Sequence, residues 1–177
     1  MISGVFDFAQ GGRFSYTYGG DINNDGSNLN DLIYVPTEAE VGQMNFSDPG
    51  QADAYNDFIA QDDYLSGRRG QYAERYAAIS PWRNRVDLRI LQDFHFNAGK
   101  ERNTIQFTID ILNFGNMINS DWGVIQQPNS VQPIGVSVDP DTKIPTYSFD
   151  GNLTQTFGYD SSINSRWQMQ FGLRYIF

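Results

Sequence analysis

The stretch Arg166-Trp-Gln-Met-Gln-Phe-Gly-Leu-Arg-Tyr-Ile-Phe177 decides the fold. Trp167, Met169, Phe171, Leu173, Tyr175 and Phe177 occupy every second position, against Arg166, Gln168, Gln170, Gly172, Arg174 and Ile176. A period of two puts the large apolar side chains on one face of a strand, whereas a helical period of 3.6 scatters them around an axis. Working back along the chain, the pattern recurs. From Arg85 to Phe96 one face carries Val86, Leu88, Ile90, Gln92, Phe94 and Phe96, and the other carries Arg85, Asp87, Arg89, Leu91, Asp93 and His95. From Thr104 to Leu112, Ile105, Phe107, Ile109 and Ile111 alternate with Thr104, Gln106, Thr108, Asp110 and Leu112. Two weaker segments come earlier: Ile2 to Phe8, and Arg13 to Gly19, where Phe14, Tyr16 and Tyr18 alternate with Arg13, Ser15 and Thr17.

These segments predict an all-β chain, an antiparallel meander with strands near 2–8, 13–19, 84–96, 103–113 and 166–177. The connections at Ala9–Gly12 and Asn97–Asn103 are short, while 20–82 and 114–165 are long. Short, long, short, long is the plan of a transmembrane β-barrel, with tight periplasmic turns and long extracellular loops. Eleven residues at ~3.3 Å rise, tilted by roughly 40°, span about 25 to 28 Å, matching the apolar band of such a barrel. About five strands make a partial barrel, since closure needs about eight. If the turn after Phe96 centres on Gly99–Lys100, Ile90 faces Ile109, Leu88 faces Ile111, and Arg89 faces Asp110 on the polar side.

Composition agrees with a membrane wall made of strands. Aromatics reach 15%, yet charged residues make up 19% and no run of residues is apolar enough for a membrane-spanning helix. The net charge of −9 excludes a nucleic-acid surface, which needs clustered cations. With no cysteine, disulfides and thiolate chemistry are excluded. The opening Met1-Ile-Ser-Gly-Val-Phe-Asp-Phe lacks the regions of a signal peptide, so an exported chain of this kind is expected to have its natural start upstream. The segments 20–82 and 115–165 hold 11 acidic against 3 basic and 5 against 1, as suits solvated extracellular loops.

The last eight residues resemble the signal that outer-membrane barrels present to their assembly machinery: Gln170, Gly172, Tyr175 and the terminal Phe177 stand at its polar, glycine and two aromatic positions. A longer resemblance runs through Gly12-Arg-Phe-Ser-Tyr-Thr-Tyr-Gly-Gly, Asp21-Ile-Asn-Asn-Asp-Gly, Asn30-Asp-Leu-Ile-Tyr-Val-Pro36, Pro81-Trp-Arg-Asn-Arg-Val-Asp-Leu-Arg-Ile, Asp110-Ile-Leu-Asn-Phe-Gly-Asn116 and Ser165-Arg-Trp-Gln-Met-Gln-Phe-Gly-Leu-Arg-Tyr. Together these stretches are similar to the C-terminal barrel region of TonB-dependent receptors of the Oar-like group, whose members carry a carboxypeptidase-regulatory-like domain. The resemblance implies residence in the outer membrane among its lipids, and assembly by the barrel machinery. It also implies energised uptake of a large scarce ligand through a plug and a TonB coupling segment, neither of which these residues contain. The ligand is not specified.

Asp21-Ile-Asn-Asn-Asp-Gly26 matches the first half of a calcium loop, in which alternate oxygens converge and Gly allows the sharp turn. The twelfth position is Leu32 rather than Glu, so a structural Ca2+ here would be held by Asp21, Asn23, Asp25 and Asp31 in a geometry of its own. The same residues are also ordinary turn chemistry. Asp48-Pro-Gly-Gln51 reads as a helix start, with Tyr55, Phe58, Ile59 and Leu65 near one face and Gly67 as a stop. Val131–Val138 and Ile144–Phe149 flank Asp139-Pro-Asp-Thr142 as a hairpin. An enzyme is not expected: His95 is the only histidine, and no serine elbow, zinc motif or P-loop is present. The alternative to a receptor is a soluble secreted calcium-binding β-domain, an adhesin or carbohydrate-binding module, in which a second sheet covers the apolar face.

Overall fold

A computed structural model describes all of residues 1–177. The chain is mostly β, with several antiparallel sheets and a few short helices, and it divides into two compact units. The first comprises Met1–Gly11, Pro81–Gln126 and Tyr159–Phe177; the second comprises Gly12–Ser80 and Gln127–Gly158.

The first unit is built on one four-stranded sheet of β1 (Ile2–Ala9), β2 (Arg83–Ala98), β3 (Glu101–Leu112) and β4 (Gln168–Ile176), lying side by side in that order. All three pairings are antiparallel. The alternating segments form these strands within about two residues of their expected ends. Between β2 and β3 the register matches the expectation: Leu88 faces Ile111, Arg89 faces Asp110 and Ile90 faces Ile109. The turn explains it. Ala98 pairs with Glu101, leaving Gly99 and Lys100 as a two-residue loop, and Gly99 takes φ 69° at its first position, as a type II′ hairpin requires. The other two connections, β1 to β2 and β3 to β4, are long and leave from the opposite end of the sheet.

The sheet has four strands, not five. Residues 13–19 do not join it: Arg13–Phe14 pair with Ala78–Ile79 in the second unit, and Thr17 bridges Leu32. The tight turn expected at Ala9–Gly12 therefore does not form, and β1 pairs directly with β2. The segment is extended chain as its alternation predicts, but its apolar side is covered by the second unit's core: Tyr16 and Tyr18 are 0% and 5% exposed. Each hydroxyl finds a partner inside the second unit: Tyr16 donates to Asp62 and Tyr18 accepts from the Tyr34 N–H. The sheet is open at β1 and β4.

The second unit has its own core of Tyr16, Ile33, Val35, Tyr55, Phe58, Ile59, Leu65 and Ile134. The helix Gly50–Gln61 presents Tyr55, Phe58 and Ile59 to that core, as its spacing predicts. Asp48 accepts from the Gly50 N–H at 2.9 Å and so caps the start. The helical segment does not run unbroken to Gly67. Asp62 adopts extended backbone and caps a second short helix, Asp63–Ser66, through the Leu65 N–H at 2.7 Å. The hairpin of Ile134–Val138 with Pro145–Phe149 forms as expected, its turn held by Asp139 Oδ1 accepting from the Thr142 and Asp141 N–H groups at 2.7 and 2.9 Å.

Candidate functional site

The parity of the four strands gives the sheet two unlike faces. One carries Ile2, Phe6 and Phe8 from β1; Val86, Leu88, Ile90, Phe94 and Phe96 from β2; Ile105, Phe107, Ile109 and Ile111 from β3; and Met169, Phe171, Leu173 and Tyr175 from β4. Most of these side chains stand open, including Phe6 at 62%, Phe94 at 59%, Phe171 at 62% and Leu173 at 74%. Only Ile111, hemmed between Leu88 and Met169, is buried. Soluble monomers rarely leave an apolar surface of this extent uncovered.

Aromatic rings stand along the whole length of the apolar face. Near the Gly99–Lys100 end stand Phe94, Phe96, Tyr175 and Phe177, with Phe96 and Tyr175 stacked at 6.3 Å and Phe177 tilted against Tyr175 at 5.7 Å between ring centroids. Toward the loop end Phe6 and Phe8 lie 4.6 Å apart, and Trp167 flanks the start of β4. The middle rows mix Ile90, Ile109 and Leu173 with Phe107 and Phe171, and Gln92 lies beside Phe107. This distribution becomes visible only once the strands are set in register.

The opposite face is mostly polar, with Val5 and Ile176 exposed on it, and most of its charged groups pair with one another. Arg89 grips Asp110 with two hydrogen bonds, Nε to Oδ1 at 2.5 Å and Nη2 to Oδ2 at 3.1 Å. Arg83 reaches Asp7 at 2.9 Å, Arg85 reaches Asp87 at 2.7 Å, and Gln106 donates to Asp93 at 2.9 Å. His95 lies 2.9 Å from the Thr104 hydroxyl across the same ladder. The pairs that cross strands, all of these except Arg85–Asp87 within β2, contribute a few tenths to one kcal/mol each and hold register.

The residues of the assembly signal lie on β4 and its end. Gln170 and Gly172 face the polar side, while Tyr175 and Phe177 face the apolar side. Gly172 sits opposite Thr108, whose Oγ1 occupies the space a Cβ would need. The Tyr175 hydroxyl donates to Oδ1 of the buried Asn103. Both residues thus have a structural reason to be present in addition to any role as a signal.

Asp21, Asn23, Asp25 and Asp31 are brought into one loop of the second unit. Asp21 accepts from the Asp25 and Gly26 N–H groups at 3.0 and 2.7 Å, and Asp25 from Ser27 N–H and the Asn30 amide, both at 2.9 Å. Asp31 accepts from Ile22 N–H at 3.0 Å and the Asn23 amide at 2.6 Å. These donors, the Asn30 amide first, hold the Asp25 carboxyl below the usual carboxylate range. The oxygens point at N–H groups of the loop itself, and no three acidic or histidine side chains converge on a point where an ion would sit. These hydrogen bonds close the segment as a turn, in which each carboxylate still has further lone pairs.

A second polar cluster in this unit was not legible in the sequence. Asp62, 5% exposed, accepts from Tyr16 Oη at 2.7 Å and Thr156 Oγ1 at 2.5 Å, besides capping Leu65. Burial first, then the neighbouring carboxylate, pushes the Tyr16 phenol well above its ordinary value. Burial likewise pushes Tyr18 up to about 12. The cluster closes the helix break onto the strand-like segment 13–18, and its groups are saturated by one another. No protein-family model, curated protein or solved structure matched the chain.

Proposed function

We propose that this chain supplies wall strands and outer loop segments to an outer-membrane β-barrel receptor of the TonB-dependent kind, which takes up a large scarce ligand. One observation carries the reading: the four-stranded sheet exposes a broad, largely apolar face rich in aromatic rings, backed by a mostly polar face most of whose charged groups are paired. In water such a face is costly to expose, at roughly 25 cal/mol per Å²; in a bilayer its exposure costs nothing. The polar face then lines the lumen. The tight turn at Gly99–Lys100 is periplasmic and the long connections are extracellular, as in barrels of this class. The open edges at β1 and β4 pair with further strands of the wall, since a lipid-exposed edge would leave backbone groups without partners. Gln170, Gly172, Tyr175 and Phe177 address the barrel assembly machinery. Energy coupling belongs to a plug outside these residues.

The experiment is insertion of the chain into vesicles whose acyl chains carry bromine, read by quenching of Trp82, Trp122 and Trp167. Quenching is expected, together with its loss in Leu173→Arg on the apolar face and its retention in Gln106→Arg on the polar face. An arginine at the bilayer midplane costs about 2–4 kcal/mol, while a lumen position tolerates it. A chain that stays monomeric and soluble without detergent, with its tryptophans unquenched, is instead the soluble secreted β-domain.

A further inference from the structure

We infer that the second unit carries a binding groove for a small organic anion with an apolar body, built around Arg13, Arg75 and Tyr76. The groove encloses about 520 Å³, within the range of small-molecule sites, and its walls include Ser15, Leu29 and Val131.

Charge picks the ligand. Residues 12–80 and 127–158 hold 14 acidic and 5 basic side chains, so an arginine here has carboxylates in abundance to choose from. Arg68 takes Glu74, and Arg69 is fixed by Asn56 and the Pro36 carbonyl. Arg13 and Arg75 take none. Arg13 donates only to the Tyr76 carbonyl at 3.3 Å, and the Arg75 guanidinium lies 5.1 Å from the centre of the Tyr76 ring. Two guanidiniums at one groove with free N–H donors match a carboxylate or phosphate oxygen pair. The nearby carboxylates are committed elsewhere: Glu74 to Arg68, Asp25 to Asn30 and Asp31 to Asn23.

The apolar part follows from the walls. Leu29 is 73% and Tyr76 54% exposed beside the two cations. Tyr76 holds φ 55°, a left-handed conformation that a bulky residue adopts only when its surroundings impose it. Ser15 Oγ accepts its N–H at 2.7 Å while Arg13 takes its carbonyl, so the turn is clamped from both sides with the ring and Arg75 turned out. An aryl carboxylate or aryl phosphate satisfies charge and wall together. The groove lies within the second unit, so this inference stands without the membrane reading.

The test is isothermal titration of the full refolded chain with benzoate and phenyl phosphate, against benzamide and benzylammonium as neutral and cationic counterparts. At least one anion is expected to bind about tenfold or more tightly than benzamide, and which anion does so separates carboxylate from phosphate. Arg75→Gln is expected to weaken that anion about tenfold while leaving the near-ultraviolet circular dichroism unchanged. Arg13→Gln is expected to do the same; should it lose the fold, Arg75→Gln decides, since its guanidinium makes no hydrogen bond in the structure. Benzamide binding as well as both anions, no binding of either anion at millimolar concentration, or unchanged affinity in Arg75→Gln overturns the inference.

Discussion

Tyr16 and Tyr55 are both fully buried in the second unit, yet their hydroxyls are in opposite situations. Tyr16 donates to the Asp62 carboxylate at 2.7 Å, whereas the Tyr55 hydroxyl has no partner. A hydrogen bond to a charged group contributes about 1.5–3 kcal/mol, and a buried hydroxyl left unpaired is itself a cost. Tyr16→Phe is therefore expected to destabilise the fold by about 2 kcal/mol, and Tyr55→Phe to be neutral or stabilising by up to about 1 kcal/mol. Urea unfolding followed by tyrosine near-ultraviolet dichroism checks both, and equal losses in the two variants would refute the contrast. The turn at Asp21 makes a similar point. If its carboxylate serves the N–H groups of Asp25 and Gly26, Asp21→Ala costs about 1 kcal/mol and added Ca2+ leaves the melting temperature of the parent where it was. A calcium-dependent rise would instead support an ion held by Asp21, Asn23, Asp25 and Asp31. None of these pairings was legible beforehand: a sequence shows that a tyrosine is large and apolar, not which hydroxyl meets a carboxylate 46 residues away.

At the scale of the element, the β2–β3 hairpin was the most legible part of the chain. Period two fixes which residues share a face, and the Gly99–Lys100 turn fixes the sum of facing numbers, so the Arg89–Asp110 pair follows. Residues 13–19 were misplaced because alternation reports an extended chain with one apolar side and says nothing of what covers that side. The aromatic content of Phe14, Tyr16 and Tyr18 fits a lipid face and a protein core equally well. Gly172 supplies an element-scale test. A Cβ at this position meets Thr108 Oγ1 across the β3–β4 ladder, so Gly172→Val is expected to destabilise the pairing by about 1–3 kcal/mol. Thr108→Ala in the same chain removes the obstructing oxygen and should recover most of the loss. Recovery would assign the glycine to packing between strands; no recovery, with the parent fold intact in Thr108→Ala alone, would refute that packing role.

Over the whole molecule, charge and phenol chemistry together set a pH window. Asp25 is held low by the Asn30 amide, Glu40 by the Thr37 N–H and hydroxyl, Asp139 by the Thr142 N–H, and Asp160 by the Ser162 hydroxyl. A carboxyl depressed in the folded state binds fewer protons there than in the unfolded chain. Its contribution is therefore fully present above the unfolded value of about 4 and is lost as pH falls through the lower folded value. All four sit in turns or helix caps of the long connections, so acid is expected to loosen these segments first. The buried phenols act in the other direction. Tyr16, Tyr18 and Tyr55 are all raised by burial, Tyr18 to about 12, so the folded state holds protons that the unfolded chain releases near pH 10. Their contribution is whole below pH 10 and drains away as pH climbs through the folded values. Melting temperature should thus stay level between about pH 5 and 9 and fall on both flanks, and Tyr18→Phe should make the alkaline flank shallower, with Tyr16 and Tyr55 still contributing, and leave the acid flank as it is. A profile that declines steadily from pH 9 toward pH 5 would show that repulsion or burial elsewhere governs stability, and that these turn carboxylates and buried phenols do not set the limits.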